Sequence, residues 1–185
     1  MIERLLAKLA RSLDLAKIPY MVIGGQAVLL YGEPRLTRDI DLTLGIDTDQ
    51  FTVIEKLCRK LKLKILPENP RDFSKQTKVL PVEERKKFNI RIDFIFSFTP
   101  YERQAMKRVK KVSLGGYPVK FASPEDVIIH KMFAGRAVDL ADTRSILLKQ
   151  KTKLDLNYIR KWLSRFEASL GRKLLQPFNQ LRRDK

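Results

Sequence analysis

The start of the chain alternates between a helical pattern and short apolar runs. Apolar residues recur at intervals of three and four through residues 2–17, which predicts an amphipathic helix that ends before Pro19. Residues 20–23 form an apolar run closed by Gly24-Gly25, which predicts a short strand followed by a turn. A second helix is expected over residues 26–31, so the chain begins with helix, strand and helix.

Two later segments alternate polar and apolar residues, which is the pattern of a half-buried strand. In residues 37–44, Asp39 and Asp41 share one face, and the apolar side chains between and after them share the other. Residues 90–96 repeat the pattern and place Arg91 and Asp93 on one face. Both segments are therefore predicted to be strands with one face in the core and charged groups on the other.

Helical patterns dominate the rest of the chain. Helices are predicted over residues 48–61, 100–109, 123–134, 139–149 and 155–170, with a short one around Phe73, and a hairpin is predicted where residues 111–114 and 117–121 flank Gly115-Gly116. Strands lie mostly in the first two thirds. The predicted class is α/β, in its α+β form: a small mixed sheet flanked by helices. A core domain over residues 1–121 would be followed by a helical C-terminal part over residues 122–185 that completes the site.

Composition limits the classes of protein that fit. The 185 residues include 38 Lys and Arg against 21 Asp and Glu, a net charge of +17 that favours polyanionic partners, although a basic surface kept for solubility would also produce it. The single cysteine, Cys58, excludes an intrachain disulfide scaffold and suits the reducing cytoplasm. No apolar run approaches the ~20 residues of a membrane span, so we expect no membrane association.

The three strand aspartates are the first chemical signal. Asp39 and Asp41 project from one face, and Asp93 would join them if its strand lies alongside. At about 4 Å and an effective dielectric of about 20, each pair of like charges costs about 4 kcal/mol, which a protein seldom tolerates without a cation. Hard oxygen ligands suit Mg²⁺, or Mn²⁺ in its place. The alternative is a solvated sheet face on which arginines pair with the acids.

Gly24-Gly25 supplies the second signal. Residues without a Cβ let a phosphate approach the backbone, and the following helix offers unpaired N–H donors. Arg35, Thr37 and Arg38 lie just before the acids, where they could hold the outer phosphates of a nucleoside triphosphate (NTP). A double glycine alone is usually only a turn. Combined with the carboxylates, it predicts a phosphoryl-transfer site.

These residues resemble the signature of the nucleotidyltransferase superfamily, whose members share a DNA polymerase β-like palm. The matching segments are Val22-Ile23-Gly24-Gly25, Arg35-Leu36-Thr37-Arg38-Asp39-Ile40-Asp41-Leu42 and Arg91-Ile92-Asp93-Phe94. Ser123-Pro124-Glu125-Asp126 and the segments around Lys131, Arg136 and Asp142 are similar to later motifs of the AbiEii-type branch, which includes toxins of toxin–antitoxin systems. The likeness spans roughly residues 20–150.

The resemblance implies a role for each matching residue. Asp39 and Asp41 would bind Mg²⁺, and Asp93 would complete the metal site and act as the base. Gly25 would face the triphosphate. Lys131 would meet a nucleotide phosphate, and Asp142 would close the site from the helical part. Many members have Gly-Ser where this chain has Gly24-Gly25, so a serine hydroxyl contact to phosphate is missing here.

Three functions follow as expectations. The first is transfer of a nucleoside monophosphate (NMP) from an NTP to a hydroxyl of RNA, with tRNA as the implied acceptor and a toxin with a protein antitoxin as the implied context. The second is transfer to a small hydroxylated antibiotic, as relatives with a similar Gly-Gly and Asp-x-Asp arrangement perform. The third is a non-catalytic nucleic-acid-binding module. The net charge favours RNA, because it would repel polycationic drugs.

Overall fold

The computed structural model describes residues 1–85, 89–97 and 99–183, which form one mixed sheet and a set of helices. The strands are β1 (Tyr20–Ile23), β2 (Ile40–Leu44), β3 (Lys64–Ile65), β4 (Val79–Glu84), β5 (Ile90–Phe96), β6 (Lys110–Leu114) and β7 (Tyr117–Phe121). The helices are α1 (Ile2–Leu15), α2 (Gly24–Tyr31), α3 (Phe51–Leu61), α4 (Pro70–Thr77), α5 (Pro100–Met106), α6 (Pro124–Ala134), α7 (Ala137–Gln150), α8 (Leu156–Leu170) and α9 (Leu175–Arg183). The predicted α+β class is confirmed.

The sheet order brings the two acid-bearing strands together. The order is β3-β4-β5-β2-β1-β7-β6, with β2 antiparallel to β1 and parallel to β5. Asp41 of β2 lies in register with Ile23 on one side and with Asp93 on the other. Residues in register on neighbouring strands share a face of the sheet. The end of β1 and the two aspartates therefore form one row across the sheet.

The opposite face of β2 and β5 is the core. Ile40, Leu42 and Leu44 are at most 1% exposed, as their alternation with polar residues predicts. The ring of Phe51, at the start of α3, lies 6.4 Å from that of Phe96 at the end of β5. Burial of these apolar side chains fixes the register, because a shift by one residue would turn the aspartates into the core.

Helix α6 is held by a buried carboxylate. Ser123 caps the helix by accepting a hydrogen bond from the Asp126 backbone N–H, with Pro124 in the first turn, as the sequence predicts. The Asp126 carboxylate accepts hydrogen bonds from Ser123 Oγ at 2.6 Å, Tyr158 OH at 2.8 Å and Tyr101 OH at 3.2 Å. It is fully buried and lies 3.7 Å from Arg108. This network joins α6 to α8 and to the start of α5.

Several elements differ from the prediction. Helix α2 begins at Gly24 instead of residue 26, because Gly24 itself makes the turn out of β1. Strand β2 begins at Ile40 instead of residue 37, which leaves Asp39 just before the strand. Helix α9 was not predicted from its polar sequence; Pro177 is tolerated in its first turn, and burial of Phe178 anchors it. The division at residue 121 stays a prediction.

Other side chains follow their sequence patterns. Cys58 is completely buried among the core residues of α3, as expected of a small apolar filler. Trp162 and Phe166 pack against Tyr101, with ring centroids 5.0 and 5.3 Å away. In the described part of the chain, we find no helix with the length and apolar character needed to cross a membrane.

Replacing Asp126 with alanine should destabilise the fold by about 3–5 kcal/mol, the usual effect of breaking a buried charged network. Urea denaturation measures the loss. Asp14→Ala is the control, because Asp14 pairs with Lys120 at a site where 27% of each side chain is exposed, and its loss should be about 1 kcal/mol or less. Equal losses in the two variants would contradict the importance of the Asp126 network.

Candidate active site

The paired strands place two carboxylates side by side. Asp41 and Asp93 are register partners on β2 and β5, whose backbones are about 4.8 Å apart as in any sheet. Both are half-buried, whereas Asp39 is exposed. Burial raises the pKa of Asp41, and the negative charges of Asp93 and Asp39 raise it further. The three predicted acids are therefore close enough to repel one another.

Arg91 complicates the predicted metal site. Its Nε donates a hydrogen bond to Asp93 Oδ1 at 2.9 Å, from the same face of β5. Within residues 1–85, 89–97 and 99–183, no group of three or more Asp, Glu, His or Cys side chains is arranged to hold a metal ion. The charge repulsion on Asp41 fits a hard cation, but Arg91 already occupies one of the two carboxylate oxygens of Asp93. The metal-binding roles of Asp39, Asp41 and Asp93 stay predictions.

The two glycines at the start of α2 allow close contacts. Gly24 has a φ of +63°, and a Cβ there would lie 1.8 Å from Asp41 Oδ2. A Cβ on Gly25 would lie 2.3 Å from Thr37 Oγ1. The absence of side chains thus lets Asp41 and Thr37 approach the backbone turn. No side chain caps α2, so its first N–H groups are available to a phosphate.

Helix α7 holds the loop that carries Thr37 and Arg38. Arg35 makes two hydrogen bonds to Asp142, from Nε at 2.7 Å and from Nη2 at 2.8 Å. The backbone N–H of Glu33 donates to Ser145 Oγ at 3.2 Å. Arg38 is exposed and Thr37 is half-buried, so both predicted phosphate contacts remain accessible.

Lys131 and Asp142 belong to a buried ionic network. Lys131 Nζ lies 2.8 Å from both Asp139 Oδ1 and Asp142 Oδ2, and the lysine is only 6% exposed. Arg136 Nε pairs with Asp139 at 2.6 Å. Burial alone would raise the pKa values of Asp139 and Asp142, but hydrogen bonds and charges from Lys131, with Arg136 on Asp139 and Arg35 on Asp142, outweigh it and lower both values.

This network contains two of the predicted site residues, Lys131 and Asp142. On residue type alone, Lys131 and Asp142 would be expected to form a surface pair, but both are buried. Their contacts are with each other, Asp139 and Arg35, and the positive charge of Lys131 also acts on Asp41. Contact of Lys131 with a nucleotide phosphate stays a prediction. The Arg91–Asp93 pair is an instance of the alternative that the sequence left open, a sheet face on which arginines pair with the acids.

The comparisons with known proteins agree with this fold. Residues 1–173 match the family described as "Nucleotidyltransferase of unknown function (DUF6036)". The match covers most of the chain, so the chain belongs to this family and is a nucleotidyltransferase. The finer likeness to the AbiEii-type branch stays a prediction. No curated protein sequence is significantly similar to the chain.

Several solved structures share the fold at low sequence identity. An antigenic nucleotidyltransferase-like protein from Paracoccidioides brasiliensis is 17% identical, with a TM-score of 0.60, and the alignment covers 96% of this chain and 91% of that one. The antibiotic-resistance factor ANT(2'')-Ia is 18% identical, with a TM-score of 0.61 and coverage of 91% and 92%. A putative nucleotidyltransferase from H. pylori is 19% identical, with a TM-score of 0.52 and coverage of 90% and 75%.

Gly24→Ala should destabilise the protein by about 1–3 kcal/mol and weaken nucleotide binding, because the new methyl group would displace Asp41 from the turn. Gly171→Ala is a matched control: Gly171 has the same φ of +63°, and nothing lies within 4 Å of a Cβ there. Thermal unfolding and NTP titration measure both variants. If Gly171→Ala has as large an effect as Gly24→Ala, backbone strain alone explains the result and the contact with Asp41 is unimportant.

Lys131→Met should destabilise the fold by about 3 kcal/mol at pH 7, because two buried carboxylates lose a shared cation. Folding lowers the pKa values of Asp139 and Asp142, so their ionisation stabilises the native state at pH values above the pKa that they have in the unfolded chain. This stabilisation is lost as the pH falls through their pKa values in the folded protein. The difference between wild type and variant should therefore shrink below about pH 4.

Urea denaturation at several pH values tests this, with Lys56→Met on α3 as the control for loss of an exposed lysine. A variant that keeps full stability but loses NTP affinity would show that Lys131 serves the nucleotide instead of the network.

Proposed function

We propose that the chain catalyses Mg²⁺-dependent transfer of an NMP from an NTP to a hydroxyl group of RNA. The observation that carries this proposal is the row formed by the Gly24-Gly25 turn, Asp41 and Asp93 across three neighbouring strands. A turn there that binds phosphate beside paired carboxylates would meet what nucleotidyl transfer requires. The family assignment supports the same reaction type and disfavours a non-catalytic binding module.

The triphosphate would bind at the start of α2. The uncapped N–H groups of Gly24, Gly25 and Gln26 can donate to phosphate oxygens, and the helix dipole favours negative charge there. Thr37 lies against Gly25, and Arg38 is exposed on the same loop, so both can contact the outer phosphates. The missing serine hydroxyl at position 25 leaves these backbone donors intact.

Asp39, Asp41 and Asp93 would hold Mg²⁺, or Mn²⁺ in its place. When bound, the ion neutralises charge on the phosphates and carboxylates. Asp41 is the strongest candidate ligand, because its half-buried carboxylate already carries the repulsion of both neighbours. Asp93 would join through Oδ2, because Arg91 holds Oδ1.

The chain's own residues would perform the proton and phosphate steps. The acceptor hydroxyl oxygen forms a bond to the α-phosphorus of the NTP as the bond to the bridging α–β oxygen breaks. Pyrophosphate leaves from the α2 side, and the hydroxyl proton passes to the Asp93 carboxylate and then to solvent. The transferred NMP is then joined to the acceptor oxygen through a phosphodiester bond.

The charge distribution supports an RNA acceptor. The net charge is +17, and residues 151–185 contribute ten Lys and Arg against three acids. Within residues 151–183, seven of these basic side chains are exposed: Lys151, Lys153, Lys161, Arg165, Arg172, Lys173 and Arg183. Solvated cations of this kind neutralise phosphates and attract nucleic acid over a distance.

A toxin role is a further proposal that rests on the resemblance to the AbiEii-type branch alone. It implies a protein antitoxin partner and tRNA as the acceptor. A neighbouring gene for a small DNA-binding protein would support it.

A small hydroxylated molecule is the second candidate acceptor. ANT(2'')-Ia shares the fold with a TM-score of 0.61 and has been solved in complex with adenylyl-2''-tobramycin, although its identity to this chain is only 17%. Salt dependence separates the two candidates. Transfer to RNA should weaken steeply as ionic strength rises, whereas transfer to a small neutral acceptor should change little.

Asp41→Asn and Asp93→Asn should each lower transfer at least 100-fold, because each removes a carboxylate next to the reacting phosphate. The assay uses labelled NTPs, Mg²⁺ and total tRNA, with Asp49→Asn as an exposed-acid control. Without divalent ions, Asp41→Asn should also raise the melting temperature, because the raised pKa of Asp41 means that its charged form opposes folding at neutral pH.

Failure of the wild-type protein to label any RNA would argue against the RNA acceptor. Unchanged activity and unchanged metal-dependent thermal shifts in both Asn variants would overturn the proposed site.

A further inference from the structure

We infer that the cavity between α4 and strands β4 and β5 is the binding site for the acceptor, and that it receives a hydroxylated sugar ring. This inference rests on the proposed function and adds the location and chemistry of the acceptor. The cavity has a volume of about 640 Å³, enough for a sugar ring and an attached group. It is open to solvent.

The order of strands determines on which side of the aspartates the triphosphate and the acceptor would each lie. Along the row, the Gly24-Gly25 turn follows β1, Asp41 lies on β2, Asp93 on β5, and Pro81 of β4 is the register partner of Asp93. In-line displacement requires the attacking oxygen and the leaving group on opposite sides of the phosphorus. With the triphosphate at the β1 end, the acceptor must approach from the β4 end.

The cavity begins where the row of site residues ends. Pro81 and Arg91 both line it, and Arg91 also donates a hydrogen bond to Asp93. An acceptor in this cavity would therefore lie next to the carboxylate proposed as its base. It would also lie next to the Arg91 guanidinium that holds that carboxylate.

The lining suits a sugar ring better than a phosphate chain. Phe73 of α4 is 39% exposed, which presents an apolar ring face to the cavity. Glu68 and Asp72 supply carboxylates, and Asn69 and Gln76 supply amides, so the lining can bind several hydroxyl or ammonium donors. Two acids in a chain of +17 net charge would disfavour an internal phosphate and favour a terminal sugar.

The test uses two probes that carry this chemistry: a short RNA with a free 3′-terminal ribose, and an aminoglycoside. Each is titrated into the isotopically labelled protein in the presence of Mg²⁺ and a non-hydrolysable NTP, and amide shifts are followed by NMR. We expect shifts in residues 66–76 with at least one probe. Phe73→Ala should raise the dissociation constant of that probe about tenfold, the effect of losing one aromatic contact.

Leu148→Ala is the matched control, because Leu148 on α7 is 44% exposed and lies outside the cavity lining. It should leave probe binding unchanged. Asp72→Asn should weaken the aminoglycoside more than the RNA, which distinguishes the two sources of the sugar. Shifts with the RNA alone identify a terminal ribose, and shifts with the aminoglycoside alone identify a small-molecule acceptor.

The proposed acceptor site is ruled out if neither probe shifts the amide signals of residues 66–76, or if Phe73→Ala leaves the dissociation constant of the probe within twofold of wild type. NTP binding, on which the proposed function depends, is measured separately, from the amide shifts of Gly24 and Gly25 when the NTP analogue alone is added. If those shifts are absent, the proposed function fails whatever the probes do. If the Gly24 and Gly25 shifts are present while the probes do not bind, only the proposed acceptor site is ruled out.

Discussion

The candidate site depends on the parallel pairing of β2 with β5, which sets Asp41 against Asp93. Two half-buried carboxylates in register repel each other, and the raised pKa of Asp41 reflects that repulsion together with its burial. The fold accepts this arrangement because the opposite face of both strands is packed into the core. Sliding either strand to relieve the repulsion would expose apolar side chains such as Leu42 and Phe94.

Positive charge is brought to these acids from several elements of the fold. Arg91 reaches Asp93 from the same strand, while the charges of Lys131 and Arg136 act on Asp41 from α6 and the turn after it. Lys131 is itself tied to Asp139 and Asp142, and Asp142 to Arg35. A buried network of this kind adds little net stability, but it holds the helical part and the loop before β2 in a fixed relation.

Charge is distributed unevenly between the outside of the molecule and its clefts. Basic side chains cover the C-terminal helices, whereas carboxylates line both the row of Asp41 and Asp93 and the cavity beside α4. A basic exterior attracts polyanions at long range, and an acidic interior selects what enters at short range. Together, the basic exterior and the acidic interior favour a partner that is anionic over most of its length but carries no negative charge at its reacting end.

The sequence by itself determined the elements and the order of the signature residues. Alternation fixed β2 and β5, and the Ser123-Pro124 start fixed α6, because these patterns are local. Pairing of Asp41 with Asp93 and burial of Lys131 were decided by the tertiary structure. Strand neighbours, and the helix faces that lose their water, depend on how distant segments pack, and the one-dimensional pattern does not contain that information.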